Sequence, residues 1–216
     1  MDWQAVLLDL DGTLLDTLED LADATNAVLA REGMPTHPVH KYRYFVGDGL
    51  RNQLLRALPP GSRDEETLAR CMKAAREEYC RRWDRKTRPY DGVPEMLRGL
   101  TGRGVRRSIL SNKPDDFARL VVERLLPEWS FEVVLGAREG VPLKPDPAGA
   151  LEVAREMAVP PEDFLYVGDT ATDMRTARAA GMYPVGALWG FRTARELRES
   201  GAKELLDRPG QLLALL

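Results

Sequence analysis

The chain has 216 residues, of which 44% are hydrophobic and 30% are charged, and its formal net charge is −3. This balance is typical of a globular protein with one large domain carrying an insertion, or with two small domains, and it argues against a nucleic-acid binder. No apolar run approaches the ~20 residues of a membrane span. The first residues lack the basic start of a signal peptide, so we expect a cytoplasmic protein.

The first predicted element is a buried strand from Ala5 to Leu10, an apolar run interrupted only by Asp9. Asp9 and Asp11 are two residues apart at its end, so their side chains point the same way in an extended chain, and Gly12 permits a sharp turn close to a ligand. One carboxylate could attack phosphorus while the other transfers a proton. By itself, the segment could equally be a solvated turn, or a calcium loop that lacks its further ligands.

The next ~70 residues are predicted to be mainly helical, from their apolar spacing. Apolar residues recur at helical spacing from Leu18 to Leu29, broken helical pieces fill residues 36–62, and a charged helix runs over residues 64–83. The economical interpretation is a sheet domain interrupted by a helical insert. The insert would leave just after Asp11, return near Tyr90 and cover the carboxylate edge as a lid.

Beyond the insert, helices of about ten residues alternate with short apolar runs, which is the pattern of a parallel sheet with helices on both faces. Since the carboxyl ends of parallel strands meet at one edge, we expect ligands to bind there. The predicted strands cover residues 107–111, 132–135, 163–167, 183–188 and 204–206. The predicted helices cover residues 94–100, 115–126, 147–157 and 171–180, with another from 196 and one at the end of the chain.

Two further segments carry groups that suit a phosphoryl group. Ser111 closes a predicted strand and Asn112 follows it, and a hydroxyl, an amide and nearby backbone N–H groups can hold phosphoryl oxygens. Lys144 is followed by Pro145, and prolines that fix the backbone suit a positioned cation. Taken singly, each segment has a plainer explanation, namely a polar turn and a surface charge.

Asp169 follows another predicted strand, and Asp173 lies four residues later in the first turn of a helix, so the two can face the same way. Helix N-capping explains one of these acids but not both together with Gly168. With Asp9 and Asp11 they bring four carboxylates to one sheet edge, where only a bound cation relieves their repulsion. The pattern therefore predicts a metal-dependent phosphoryl site.

Taken together, these segments resemble the haloacid dehalogenase superfamily of aspartate-nucleophile phosphohydrolases over essentially the whole chain. Close relatives usually carry Thr at the position of Ser111, and the hydroxyl is kept. The matching segments are Asp9-Leu10-Asp11-Gly12-Thr13-Leu14, Ser111-Asn112-Lys113, Lys144-Pro145-Asp146-Pro147 and Gly168-Asp169-Thr170-Ala171-Thr172-Asp173.

The resemblance implies an α/β fold, with a Rossmann-like parallel sheet core and a helical cap domain inserted after the first strand. The core would comprise residues 1–15 and 86–216, and the cap residues 16–85. It also implies a phosphomonoester hydrolase that depends on Mg²⁺ and forms an aspartyl phosphate. Mg²⁺ would be held by Asp9, the backbone carbonyl of Asp11 and Asp169, with Asp173 behind them orienting waters or Lys144.

In the implied reaction, Asp9 attacks phosphorus, and Asp11 protonates the leaving alkoxide and then activates a water molecule. Ser111 and Lys144, together with Asn112, would bind the phosphoryl oxygens.

The segment Val46-Gly47-Asp48-Gly49-Leu50-Arg51 resembles the cap loop of the phosphoglycolate phosphatase branch. The resemblance implies that Gly47, Asp48, Gly49 and Arg51 contact the substrate. An Arg51 guanidinium paired with a substrate carboxylate would favour a small acid such as 2-phosphoglycolate. The alternative for Arg51 is an ordinary surface residue of a helix.

Other activities use the same scaffold and stay open at this point. A β-phosphoglucomutase would apply Asp9 and Asp11 to a sugar phosphate, and an inorganic pyrophosphatase or a nucleotidase belongs to the same branch. A phosphonate-cleaving relative needs a cap lysine, and nothing around Lys41 stands out. A catalytically silent regulatory binding module is expected to have lost Asp9, Asp11 or Lys144, and none is lost. The expected partner is a small phosphorylated metabolite, neither nucleic acid nor membrane, for a monomer or a homodimer.

Overall fold

The computed structural model describes residues 3–216, and the chain divides into two compact units. One unit comprises the segment up to Leu15 together with Pro89–Leu216, and the other is Asp16–Arg88. None of the helices in the described part of the chain is long and apolar enough to cross a membrane.

The larger unit contains a six-stranded sheet in which every pair of neighbours is parallel. The strands of the described residues are β1 (Ala5–Leu8), β2 (Leu15–Asp16), β3 (Arg88–Pro89), β4 (Arg106–Pro114), β5 (Val134–Ala137), β6 (Phe164–Gly168), β7 (Tyr183–Ala187) and β8 (Glu204–Leu206). The sheet order is β5-β4-β1-β6-β7-β8, while β2 and β3 pair where the chain passes between the units. The predicted α/β class with a Rossmann-like parallel sheet core is confirmed.

The smaller unit is helical. Its charged helix is shorter than the predicted 64–83, because Asp64 is the N-cap, with its side chain accepting from the Thr67 N–H at 2.9 Å, and the α-helix ends at Cys80. A buried carboxylate on the first helix, Asp20, anchors the returning chain by accepting from the backbone N–H and the hydroxyl of Thr87, each at 2.8 Å. The helices are α1 (Leu18–Arg31), α2 (Tyr42–Phe45), α3 (Leu50–Ala57) and α4 (Glu65–Cys80), with short 3₁₀ turns at Val39–Lys41 and Pro60–Ser62.

Helices pack on the sheet of the larger unit and form its main core. Leu7 of β1 and Phe164 of β6 are fully buried in one cluster with Val153, and burying each such side chain contributes about 1.5–3 kcal/mol. The helix predicted at the end of the chain is a 3₁₀ helix, Pro209–Ala214. The α-helices of this unit are α5 (Val93–Gly102), α6 (Asp115–Leu125), α7 (Ala148–Met157), α8 (Ala171–Ala179) and α9 (Ala194–Glu199).

The register of three central strands decides which polar residues meet. Leu8 at the end of β1 is paired with Ile109 of β4 and with Val167 of β6. The Asp9 N–H then donates to the Val167 carbonyl at 2.9 Å. Because β1 is buried along its whole length, the position of Asp9 at this edge is fixed by packing on both sides.

Candidate active site

Asp9 and Asp11 leave the carboxyl end of β1 in a tight turn. The Gly12 N–H closes the turn by donating to the Leu15 carbonyl at 2.9 Å. Gly12 has a φ of +93°, and a Cβ at this position would collide with the Asp169 carboxylate. Glycine therefore allows the turn both its backbone conformation and its close approach to Asp169.

The ammonium group of Lys144 lies at the centre of the site. Its Nζ donates to Asp9 Oδ1 at 2.7 Å, to Asp173 Oδ1 at 2.7 Å and to the Leu110 carbonyl at 3.1 Å, which engages all three of its hydrogens. Burial by itself lowers the pKa of Lys144, but the charges of Asp173 and Asp9 outweigh burial and raise that pKa well above its ordinary value. Lys144 is therefore a fixed, permanently charged group.

Asn112 holds the backbone of Lys144 in place. Its Nδ2 donates to the Lys144 carbonyl at 3.0 Å, and its Oδ1 accepts from the Lys144 N–H at 2.9 Å. Both ends of the amide thus position the lysine, a role that sequence reasoning missed. The predicted contact between Asn112 and substrate stays a prediction.

Asp169 is fully buried directly after β6. Its Oδ1 accepts from the Thr13 hydroxyl at 3.2 Å, and its Oδ2 accepts from the Phe191 N–H at 2.7 Å. Trp189 fastens the same region, because its Nε1 donates to the Thr13 carbonyl at 2.9 Å. The aromatic segment after β7 therefore lies against the site and orients the Asp169 carboxylate.

The two carboxylate oxygens of Asp173 accept hydrogen bonds from different neighbours. Oδ2 accepts from the backbone N–H of Thr170 at 3.0 Å and from its hydroxyl at 2.6 Å, which completes a capping box at the start of α8. Oδ1 binds Lys144. The N-cap is thus Thr170, which the sequence did not single out, and Asp173 contributes to capping and to the site together.

Three buried acids stand close enough to share one cation. One carboxylate oxygen each from Asp9, Asp169 and Asp173 lies within 4.8 Å of the others. The ammonium of Lys144 contacts Asp9 and Asp173, and the charge of Arg192 also acts on Asp169, but the three acids still repel one another. Burial and the Asp173 charge raise the pKa of Asp9 to about 7 despite Lys144, and burial and the Asp9 charge raise the pKa of Asp169 well above its ordinary value. This donor set fits a hard divalent cation, which prefers carboxylate oxygens.

Asp11 faces a different cation. Lys113 Nζ lies 3.0 Å from each oxygen of the Asp11 carboxylate, and its side chain is only 3% exposed against 18% for Asp11. The backbone N–H of Lys113 also donates to the Ser111 hydroxyl at 3.2 Å. The segment Ser111-Asn112-Lys113 indicates no separate role for Lys113, although a lysine close to the end of a buried strand is a usable signal.

The remaining predicted residues lie in the helical unit. Gly47 and Gly49 both have positive φ angles and flank Asp48, whose carboxylate pairs with Arg56. Arg51, on α3, pairs with Glu65, and both side chains are exposed. The predicted contacts of Gly47, Asp48, Gly49 and Arg51 with substrate stay predictions.

Three comparisons relate the chain to known proteins. The family model for haloacid dehalogenase-like hydrolases matches residues 6–187. The chain is 32% identical to phosphoglycolate phosphatase 1 of Pseudomonas aeruginosa, over 96% of this chain and 78% of that protein. It is 30% identical to the phosphoglycolate phosphatase of Psychrobacter arcticus, over 96% and 93% of the two chains. The structure of a Lactobacillus delbrueckii protein for which the same activity has been suggested superposes with a TM-score of 0.93 at 28% identity, covering 100% and 98%.

Proposed function

Since this chain belongs to the haloacid dehalogenase-like hydrolase family and is a phosphatase, we propose that it hydrolyses 2-phosphoglycolate through an aspartyl phosphate. The observation that carries the proposal is the placement of Asp9, a buried carboxylate between Lys144 and the acids that fit a divalent cation. The choice of substrate is supported by the names of relatives that align along nearly the whole chain.

Asp9 is suited to be the nucleophile. Its Oδ1 accepts a hydrogen bond from Lys144, which leaves Oδ2 as the oxygen that approaches phosphorus. In the first step this Asp9 oxygen bonds to phosphorus while the ester P–O bond breaks. The departing alkoxide takes a proton from the Asp11 carboxyl group. The positive charge of Lys144 would offset the charge of the phosphoryl group, and the Ser111 hydroxyl would donate to one of its oxygens.

The second step restores the nucleophile. Asp11, now a carboxylate, takes a proton from water as the water oxygen bonds to phosphorus, and the bond to Asp9 breaks. Inorganic phosphate leaves, and Asp11 keeps the proton for the next turnover. Asp11 can serve both steps because it stands two residues from Asp9 on the same turn, with its carboxylate held by Lys113.

The cation that we propose is Mg²⁺, held by Asp9, Asp169 and the backbone carbonyl of Asp11. When bound, it would neutralise the clustered acids and screen them from an incoming phosphate. Asp173 Oδ1 accepts from the Lys144 ammonium, and Oδ2 completes the capping box with Thr170, so we assign to Asp173 the support of this site by fixing Lys144.

We propose that the helical unit, Asp16–Arg88, acts as a cap domain that excludes water during chemistry. The chain leaves the sheet unit directly after the turn that bears Asp9 and Asp11, which places the start of the insert close to the nucleophile in sequence. The cytoplasmic location and the choice between monomer and homodimer stay predictions.

Phosphate release from a panel of substrates tests the proposal. We expect 2-phosphoglycolate to be hydrolysed with a higher kcat/KM than pyrophosphate, nucleoside monophosphates or hexose phosphates, and we expect EDTA to remove the activity. Broad, weak release from all of them would keep the phosphatase chemistry and discard 2-phosphoglycolate as the substrate.

Replacing the proposed metal ligand Asp169 should weaken cation binding and leave the fold intact. In Asp169→Asn we expect the Mg²⁺ concentration for half-maximal activity to rise by about 10- to 100-fold, because a neutral amide is a poorer ligand than a carboxylate. The amide oxygen can still accept from the Phe191 N–H, so the unfolding temperature in EDTA should stay close to that of the wild type. An unchanged Mg²⁺ titration would remove Asp169 from the ligand set.

A further inference from the structure

The proposed substrate has a carboxylate as well as a phosphate, and a buried carboxylate needs a cation. The sequence candidate for that cation is Arg51, but in the structure Arg51 is paired with Glu65 on the surface of the helical unit. In the sheet unit, Lys144 is fully engaged by Asp9, Asp173 and a backbone carbonyl. A better candidate for this cation is Lys113, which lies beside the proposed acid–base residue Asp11.

We propose that Lys113 recognises the carboxylate of the substrate and so selects 2-phosphoglycolate; this rests on the function proposed above. Lys113 is carried by β4, and its ammonium lies 3.0 Å from both oxygens of Asp11. Its side chain is almost completely buried, whereas the Asp11 carboxylate is open enough for a ligand to approach.

The chemistry of the substrate sets the distance that Lys113 must reach. To protonate the leaving group, Asp11 has to lie within about 3.2 Å of the ester oxygen. In 2-phosphoglycolate one methylene separates that oxygen from the carboxylate carbon, which is about 2.5 Å away across two bonds. A cation in contact with Asp11 is therefore also within reach of the substrate carboxylate.

The ammonium group can serve both carboxylates. It is a compact charge with three hydrogens on a flexible stem, so it can divide its hydrogen bonds between Asp11 and the incoming group. When the substrate has no carboxylate, Lys113 stays paired with Asp11. Substrates with and without a carboxylate therefore differ by one charge-assisted contact. Such a contact corresponds to about a 10- to 100-fold difference in kcat/KM.

The test compares 2-phosphoglycolate with ethyl phosphate, which replaces the carboxylate by a methyl group and keeps the alkoxide leaving group. The full chain is assayed as wild type, Lys113→Met, Lys113→Arg and Arg51→Met. Lys203→Met is the control, because Lys203 is an exposed lysine of the same unit. We expect Lys113→Met to lower kcat/KM for 2-phosphoglycolate at least about 10-fold more than for ethyl phosphate. Lys113→Arg should keep part of the preference because it keeps the charge.

Several results would overturn the inference. Equal losses on both substrates in Lys113→Met would mean that Lys113 only holds Asp11. If Arg51→Met loses the preference for 2-phosphoglycolate over ethyl phosphate while Lys113→Met keeps it, the carboxylate is recognised by the helical unit. A wild type that does not prefer 2-phosphoglycolate over ethyl phosphate would overturn the proposed function and this inference together. Circular dichroism and the unfolding temperature show whether each variant is folded. If Lys113→Met does not fold, Lys113→Arg takes its place, and the ratio of its kcat/KM values for 2-phosphoglycolate and ethyl phosphate tests the inference.

Discussion

Asp9→Asn should lower kcat by a factor on the order of 10⁴ or more, because an amide cannot form the covalent bond to phosphorus on which the proposed mechanism depends. No phosphorylated protein should be trapped when the variant is mixed with substrate and quenched in acid. The measurement is steady-state phosphate release in Mg²⁺, together with acid-quench trapping of the wild type and the variant. Turnover of the variant well above background would reject Asp9 as the nucleophile.

The same variant should keep its fold. The amide oxygen of the new side chain can still accept a hydrogen bond from Lys144, and the substitution removes one of three clustered negative charges. The raised pKa of Asp9 shows that its charge is costly in this buried cluster, so the unfolding temperature in EDTA should not fall below that of the wild type. Asp207→Asn makes the same chemical change at an exposed site in the same unit and should leave activity unchanged.

Lys144→Met should affect both activity and stability. We expect kcat to fall by about 10³-fold, because the phosphoryl group loses the cation that opposes its charge. We also expect a loss of about 3–5 kcal/mol in the free energy of unfolding without metal, since Asp9 and Asp173 would be left buried with no ammonium between them. In a chain of this size, that loss corresponds to a fall of about 10 °C in the unfolding temperature.

Mg²⁺ provides the control for this second prediction. A divalent cation offsets part of the charge that Lys144 leaves behind, so the stability loss of Lys144→Met should be smaller in Mg²⁺ than in EDTA. Lys203→Met, which removes an exposed lysine, should show neither effect. An unfolding temperature for Lys144→Met equal to that of the wild type in EDTA would contradict the charge balance that we assign to the site.

The charged groups of the site are held in place by their neighbours. The site combines side chains from the ends of β1, β4 and β6, from the loop that follows β5 and from the first turn of α8. Three of the charged groups are also fixed by neutral partners: Asn112 fixes Lys144, Thr170 fixes Asp173, and the Phe191 N–H fixes Asp169. Such support keeps the charges in place before substrate arrives, which lowers the reorganisation that the reaction requires.

Patterns along the chain predict the sheet and the family, both of which are confirmed, and they also propose which acids lie at one edge of the sheet. Apolar runs alternating with helical periods predict a parallel sheet, and the rule that parallel strands end at one edge brings Asp9, Ser111 and Asp169 together without knowledge of coordinates. The predictions of the sheet and of the family are confirmed because each depends on local patterns in the sequence.

The partner of each charged group follows from the way the segments pack together. Lys113 pairs with Asp11, Asn112 binds the backbone of Lys144, and Phe191 donates to Asp169, although the members of these pairs lie between 22 and 102 residues apart. A hydrogen bond depends on positions known to a few tenths of an ångström, and these follow from how separate segments pack. No periodicity or spacing along the chain carries that information, so the pairing of Lys113 with Asp11 emerges only once the strands are placed side by side.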